Sequence, residues 1–327
     1  MKITKLLIAT ATAASLSVPA MAEELSFASF VGPLHTITAS VIDVLAASVS
    51  DATGGDLTVR AYPGGELGAG PVEQYIRVVQ GVADMSWGLQ GYTSSQFPRT
   101  MLIELPGAML DGAHGYDMLW DAYEGHLASE FPGTKPLALW VSEPNIMIMK
   151  DIVIRTPADL EGLKIRVAGA VAADVATALG ATPVQMPITQ VYNALQTGLI
   201  DGVFTGASTL SDFKLDEVAD AITVGAPLGV ISFYAVMSQE RYDGLTADQQ
   251  AAIDAASGRA LSQSAEDAWI TQADANVVTA IADSNNTVVE LSADEIAAFS
   301  TITMSISAQV IDSVGGGAEA LAAMQGE

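Results

Sequence analysis

The sequence predicts an α/β fold with two lobes, and two observations support this prediction. Short segments with strand-type alternation are followed by helix-type segments that end at glycine, along most of the chain. The chain has 327 residues, which is enough for two separate hydrophobic cores. Alternating strands and helices typically build mostly parallel sheets covered by helices, so we expect that arrangement in each lobe.

The amino terminus has the pattern of an export signal, which we assign to residues 1–22. Lys2 and Lys5 precede an apolar stretch from Leu6 to Val18, and Ala20-Met21-Ala22 matches a cleavage site. The apolar stretch is shorter than the roughly 20 residues that a spanning helix needs. We therefore expect a protein of the periplasm that does not insert into the membrane itself.

The composition excludes several classes of function. There is no cysteine, so neither a disulfide nor a catalytic thiolate is available. With 13 basic and 38 acidic residues the formal net charge is −25, which argues against nucleic acid and anionic membranes as partners. The same charge repels an anionic ligand, so binding one requires a local cation. The three histidines show no metal-ligand spacing, and we expect neither a metal nor another cofactor.

The first half of the chain contains the predicted elements of the first lobe. Strands are expected over 24–31, 57–62 and 84–89, with helices over 34–52 and 71–80 between them. Two further strands are expected within 134–154, where the chain would cross to the other lobe. We assign 23–143 and 232–271 to lobe I, and 144–231 and 272–327 to lobe II. Hinges are expected near 143–146 and 230–234.

The second half begins with a helix start at Thr156-Pro157, followed by a strand in which Lys164 and Arg166 face away from the apolar side. Helices are predicted over 171–179 and 190–197. The capping-box pattern Thr246 to Gln249 opens a stretch without proline as far as Asp283, which predicts one long helix bracing both lobes. A strand over 287–291 and a helix from Ser292 complete the chain.

Arg166 is the candidate anchor for an anion. It lies where a predicted strand ends at Ala168-Gly169, and ligand sites in open α/β sheets lie beyond the carboxyl ends of strands. A guanidinium is always charged, and its planar fork of donors fits a carboxylate in two places at once. The alternative is a salt bridge with one of the many carboxylates of this chain.

Three blocks of the chain together resemble the solute-binding proteins of tripartite ATP-independent periplasmic (TRAP) transporters. They are Gly65-Glu66-Leu67-Gly68 with Gln80-Gly81-Val82-Ala83-Asp84-Met85, then 156–167 (TPADLEGLKIRV), then Gly180-Ala181-Thr182-Pro183 through 192–198 (YNALQTG) to Asp201-Gly202. The resemblance extends over nearly the whole chain after the signal. It implies two α/β lobes that close around a ligand, delivery of the solute to membrane permease subunits, and a carboxylate-binding role for Arg166.

Two departures from the family pattern bear on the ligand. Many members have a second arginine in the crossing segment, where this chain reads Glu143-Pro144-Asn145-Ile146-Met147. Many also have a Glu-Asn pair where this chain has Phe204-Thr205. Both changes remove polar contacts, so the expected solute is a monocarboxylate with an apolar or cationic remainder rather than a dicarboxylate or a sialic-acid-like compound.

Eight further residues are candidates for the ligand site, each with a simpler alternative. Aromatic side chains near predicted strand ends would line the cleft or else pack in the core, and these are Phe30, Trp87, Trp140 and Phe204. Polar residues near the cleft would contact the ligand or else cap turns and face solvent, and these are His35, Glu66, Asn145 and Thr205.

We therefore predict a monomeric receptor for a small organic carboxylate that works by hinge closure. A secreted enzyme acting on a small acid is an alternative, although no acid–base or nucleophile set is recognisable in the sequence. A receptor of an ATP-driven importer and a ligand-presenting sensor share the two-lobed plan. Hydroxy acids, branched or aromatic keto acids and betaine-like zwitterions all remain open as solutes.

Overall fold

The structure is a computed structural model that describes residues 22–327. The predicted signal peptide therefore lies almost entirely outside the described residues. Within the described residues, no helix is both long and apolar enough to cross a membrane.

Eleven strands are found within residues 22–327. In chain order they are β1 (Glu23–Ala28), β2 (Leu57–Tyr62), β3 (Met85–Leu89), β4 (Thr134–Val141), β5 (Ile146–Met149), β6 (Lys164–Val167), β7 (Thr182–Gln185), β8 (Gly202–Thr205), β9 (Ala221–Val224), β10 (Ser232–Ser238) and β11 (Thr287–Glu290).

The helices of the same range cover the sheets. They are α1 (Asp43–Thr53), α2 (Gln74–Val79), α3 (Gly115–Ala122), α4 (Ala170–Ala178), α5 (Val191–Thr197), α6 (Thr209–Asp212), α7 (Gln239–Asp243), α8 (Ala247–Ala256), α9 (Arg259–Ala282), α10 (Ala293–Ser313) and α11 (Gly317–Met324). Short turns of 3₁₀- or π-helix connect several of them, among them Thr38–Ile42 before α1 and Gln90–Thr93 after β3.

The described strands form two sheets, so the predicted α/β fold with two lobes is confirmed. The first sheet has the order β2-β1-β3-β10-β4, and the second has the order β11-β9-β5-β8-β6-β7. Every antiparallel pairing in residues 22–327 involves β5 or β10. Each of these two strands comes directly after a crossing from one sheet to the other, so the sheets are mixed rather than mostly parallel.

The chain crosses between the sheets at residues 142–145 and 225–231, and these two segments are hydrogen-bonded to each other. The amide of Ser142 donates to the carbonyl of Ile231 at 2.7 Å, and the amide of Ile231 donates to the Ser142 hydroxyl at 3.0 Å. The amide of Asn145 donates to the carbonyl of Gly229 at 2.8 Å. The crossings therefore form a paired connection, which is the form that a hinge between two lobes takes.

Local capping signals in the sequence are confirmed. Thr156, Thr246 and Ser292 each form a capping box with the side chain three residues later. In each box the hydroxyl residue and its partner satisfy backbone amides that would otherwise have no acceptor at the helix start. These helix starts follow from short-range chemistry alone.

The predicted single helix from 246 to 283 is wrong, because it is broken between α8 and α9. Gly258 has φ = 79°, a conformation that favours glycine, and its amide donates to the carbonyl of Leu137 in β4 at 2.7 Å. The tertiary hydrogen bond thus replaces a helical one. The helix α9 that remains has 24 residues and packs against β4 and α3 of the first lobe while also contacting β11 of the second sheet.

The C-terminal helices differ from the predicted assignment of 272–327 to the second lobe. Phe299 near the start of α10 is buried among second-sheet residues, whereas Ser307 donates to the carbonyl of Pro106 at 2.8 Å. Helix α11 packs against α3, with Ala320 and Met324 in the core of the first lobe. The chain therefore returns to the first lobe along α10.

Candidate functional site

Arg166 occupies the penultimate position of β6 and its side chain is buried between the lobes, with 1% exposure. Its neighbours Ile165 and Val167 point into the core of the second lobe, as the alternation predicted. The guanidinium Nε donates to the carbonyl of Met186 at 3.0 Å. Within residues 22–327 no carboxylate lies within 4.0 Å of it, so the salt-bridge alternative does not apply.

Tyr92 contacts Arg166 from the opposite lobe. Its hydroxyl oxygen accepts from the amide of Ile188 at 3.0 Å and from Nη2 of Arg166 at 3.5 Å. Burial lowers the pKa of Arg166, and its interaction with the Tyr92 hydroxyl opposes that shift. An arginine keeps its proton in proteins, so the site contains a buried cation that has no anionic partner among residues 22–327.

A cavity between the lobes contains about 390 Å³ of space not occupied by atoms, part of it open to solvent. Its lining combines polar side chains with apolar side chains, most of which are aromatic. The lining residues are Phe30, His35, Trp87, Leu89, Arg166, Ile188, Thr205, Ser208, Thr209, Asp212, Phe213, Ile231, Phe233 and Trp269. The structure therefore brings together five of the nine residues singled out in the sequence: Phe30, His35, Trp87, Arg166 and Thr205.

The aromatic wall is a network of ring contacts. Phe30 stacks on Trp87 with ring centroids 4.5 Å apart, and Trp269 lies 6.4 Å from Trp87. The indole nitrogen of Trp87 donates to the Ser29 hydroxyl at 3.1 Å, which holds the ring in place. Such walls bind flat apolar groups and also attract cations over the ring faces.

The structure corrects the expected lining role of Phe204. Successive side chains of β8 face opposite sides, and it is Thr205 that reaches the cavity. Phe204 is 1% exposed and packs with Met147 in the core of the second lobe. In its place, Phe213 at the end of α6 contributes an aromatic face to the cavity.

Three other candidates also lie away from the cavity lining. Trp140 is buried behind it and stacks on Phe233 with centroids 5.3 Å apart, so it supports the wall. Asn145 lies in the first crossing segment, where its amide side chain donates to the carbonyl of Leu228 in the second at 3.5 Å. Glu66 is exposed in the Gly65–Gly68 turn. Its carboxylate is therefore available to solvent rather than to the cavity.

Several residues at or beside the cavity were missed in the sequence. Tyr92, which contacts Arg166, follows β3 of the first sheet, and the cavity residue Asp212 follows β8 of the second, so the strand-end rule that selected Arg166 points to them as well. Trp269 lies in the middle of α9, far from any strand end in sequence. Its position at the cavity results from the packing of α9, which no local pattern indicates.

The two lobes touch directly across the cleft. The hydroxyl of Ser94 accepts from the amide of Ala170 at 3.3 Å. Beside it, the backbones of Gly91 and Gly169 pack so closely that a Cβ on Gly169 would lie 2.6 Å from the Gly91 Cα. The arrangement is that of lobes closed on each other, with the cavity between them.

Glu143 is a buried carboxyl in the first crossing segment. Its Oε1 accepts from the amide of Ser208, a cavity residue, at 2.7 Å, and Oε2 has no hydrogen-bond partner among the described residues. Burial raises the pKa of Glu143 to about 7. The folded protein therefore holds a proton on this group in a pH range where an unfolded carboxyl has lost it.

This pKa shift predicts that stability falls as the pH rises from about 5 to about 8. Because the folded pKa is raised, the contribution of Glu143 is fully present below the unfolded pKa and is lost as the pH passes through about 7. In Glu143→Gln, we expect the decrease in the free energy of unfolding over this pH range to be smaller than in the wild type, by on the order of 2 kcal/mol. Urea unfolding at several pH values measures this free energy, and Glu124→Gln, at an exposed glutamate, is the control. The same pH dependence of the free energy of unfolding in the wild type and both variants would contradict the prediction.

Comparison with known proteins decides the family. The chain matches the bacterial extracellular solute-binding protein family 7, DctP, over residues 27–313. The chain belongs to this family of TRAP solute-binding proteins. Members of the family are binding proteins for transport rather than enzymes, so the secreted-enzyme alternative is set aside. They bind small organic acids and work with membrane components of the transporter.

The curated relatives match over different lengths. The C4-dicarboxylate-binding periplasmic protein DctP of Rhodobacter capsulatus is 26% identical over 329 residues, which cover 97% of this chain and 95% of that protein. With several other curated relatives, this chain spans only 61% to 65% of their length.

Solved structures of TRAP solute-binding proteins match the fold over nearly the whole chain. That from Rhodoferax ferrireducens T118, in complex with copurified benzoate, is 28% identical with a TM-score of 0.86, covering 93% of this chain and 96% of that chain. That from Bordetella bronchiseptica, with bound (R)- and (S)-mandelate, is 29% identical with a TM-score of 0.83, covering 93% of this chain and 98% of that chain.

Proposed function

We propose that this TRAP solute-binding protein captures a small aromatic or otherwise apolar monocarboxylate in the periplasm and delivers it to membrane permease subunits. The observation that carries the proposal is the buried guanidinium of Arg166, which lines the cavity without a described anionic partner. A ligand carboxylate would supply that partner through charge-assisted hydrogen bonds. The protein would act as a monomer.

The remainder of the solute would lie against the aromatic wall. Trp87, Phe233 and Trp269 present large apolar faces to the cavity, and the adjoining Leu89 and Ile188 add apolar surface. The benzoate and mandelate complexes of the two related structures are consistent with a ring in this position. An aromatic ring buries much apolar area at low entropic cost, which favours it over a flexible chain.

A dicarboxylate fits this cavity less well, although the Rhodobacter capsulatus relative is named for C4-dicarboxylate binding. Arg166 is the one arginine or lysine among the described lining residues, so a second carboxylate would lack a cationic partner. Asp212 lines the same cavity and would repel it. The proposal therefore specifies one carboxylate.

The mechanism would be hinge closure. A solute bound to Arg166 in the second lobe would contact Phe30 and Trp87 of the first lobe only when the lobes are closed. Those contacts shift the equilibrium toward the closed form by their differential binding energy. The paired crossing segments 142–145 and 225–231 supply the connection about which the lobes would rotate.

The experiment is isothermal titration calorimetry of the mature protein with benzoate, mandelate and succinate, preceded by mass spectrometry of any solute that co-purifies. We expect benzoate or mandelate to bind at least about 100-fold more tightly than succinate, because an unpaired buried carboxylate costs several kcal/mol. Succinate binding as tightly as either aromatic acid would contradict the proposal, as would a co-purified solute without a carboxylate.

A further inference from the structure

Asp212 is a second charged group in the cavity, and it has few partners. It closes the short helix α6, and its side chain is 8% exposed. The amide of Thr36 donates to Oδ1 at 3.3 Å, and Nε2 of His35 lies 3.6 Å from Oδ2. Both distances exceed the usual 2.9 Å of a good hydrogen bond. Among the described residues, no lysine or arginine pairs with this carboxylate.

His35 does not neutralise Asp212. Its Nδ1 accepts a hydrogen bond from the amide of Ile37 at 3.1 Å, so the ring proton is placed on Nε2, which faces Asp212. Burial lowers the pKa of His35 to about 3, so the ring is uncharged at neutral pH. The pair consists of a neutral imidazole and a carboxyl group, and neither is fully satisfied.

A purely structural role for Asp212 would be to join the lobes through Thr36. That role needs only one carboxylate oxygen, and it does not require the carboxylate to line the same cavity as Arg166. When a monocarboxylate occupies Arg166, the ligand and Asp212 bring two negative groups into one enclosed space. A donor group on the ligand would remove this cost, because it would give the second oxygen a partner.

We propose that Asp212, positioned by His35, forms a second polar subsite that accepts a hydrogen bond from the solute. The solute would then be a monocarboxylate that carries a hydroxyl or ammonium group in addition to its carboxylate. This inference rests on the proposed function, in which Arg166 receives the carboxylate. It adds a specificity determinant that selects among ring-bearing acids by the substituent that they carry.

The test is calorimetry with benzoate and with benzoates that carry one substituent at position 3 or position 4 of the ring. The substituents are hydroxyl, methoxyl and aminomethyl. We expect the hydroxyl or aminomethyl compound at one position to bind at least about tenfold more tightly than benzoate, which corresponds to one charge-assisted hydrogen bond. The methoxyl compound, which has no donor, should bind no more tightly than benzoate. The two donor compounds distinguish a hydroxyl solute from a cationic one.

Variants of Asp212 complete the test. Asp212→Asn keeps the shape and one acceptor but loses the charge, so the hydroxyl advantage should fall below about threefold and the aminomethyl advantage should vanish. Asp212→Leu, which has no acceptor, should make the hydroxyl compound bind more weakly than benzoate. Asp216→Asn, an exposed aspartate four residues away, is the matched control and should leave every ratio unchanged.

The outcomes separate this inference from the proposed function. Arg166-dependent binding of benzoate with no preference for a donor substituent would overturn the Asp212 subsite alone, as would unchanged ratios in Asp212→Asn. Binding that does not depend on Arg166 would overturn the proposed function. If none of the benzoates binds, the chemical identity of the co-purified solute tests the subsite. A solute without a hydroxyl or ammonium group would overturn it.

Discussion

Replacing Arg166 with methionine is expected to abolish measurable binding of benzoate or mandelate. Arg166 is the only cationic side chain among the described cavity residues, and its removal leaves a ligand carboxylate buried without a partner. Two charge-assisted hydrogen bonds at about 1.5–3 kcal/mol each correspond to a loss of about 10²-fold to 10⁴-fold in affinity. Calorimetry with the purified mature protein measures this loss directly.

The same variant should leave the unliganded protein at least as stable as the wild type. A buried cation without an anionic partner costs desolvation energy, and methionine fills a similar volume without that cost. We expect the melting temperature without ligand to be unchanged or higher, while the increase caused by ligand disappears. Arg60→Met, at an exposed arginine 3.6 Å from Glu24, is the control and should keep full binding. Affinity within about threefold of the wild type for Arg166→Met would refute the anchor role.

Substituting Gly169 with alanine should weaken ligand binding by preventing full closure of the lobes. The new Cβ would lie 2.6 Å from the Gly91 Cα, and backbone on both sides leaves no flexible side chain to move away. Overpacking of this kind costs roughly 1–3 kcal/mol, and here the cost falls on the closed state alone. The affinity should therefore fall by about 10-fold to 100-fold.

Small-angle X-ray scattering separates this effect from loss of folding. With saturating ligand the wild type should become more compact, whereas Gly169→Ala should keep the dimensions of the unliganded form. Gly125→Ala is the control, since a Cβ there meets no atom within 4 Å and its φ is not positive. If Gly169→Ala becomes as compact as the wild type and binds equally well, the Gly91–Gly169 contact does not limit closure.

Local chemistry made the elements around Arg166 predictable. The capping residue Thr156, the alternation of Ile165 and Val167 with Arg166, and the glycine after α5 each act over a few residues. The sequence therefore located the cation at the end of a strand. That position made Arg166 a candidate anchor, and the resemblance to the TRAP family favoured this role over a salt bridge.

The predictions for Phe204 and for a single helix over 246–283 were wrong because contacts between distant parts of the chain determine both features. The face of Phe204 depends on how β8 pairs with β5 and β6, and a shift by one residue exchanges it with Thr205. The break at Gly258 depends on the carbonyl of Leu137, which is more than one hundred residues away in sequence. Neither partner can be identified from the local pattern.

The sequence by itself determined the α/β class, the family and the candidate anchor Arg166, because strand alternation, helix caps and the family motifs each occupy a short segment of the chain. Only the tertiary structure decided what surrounds that arginine. Asp212, Phe213 and Trp269 meet in one cavity because two lobes and a long helix pack together, and such packing depends on the shapes of surfaces rather than on spacing along the chain.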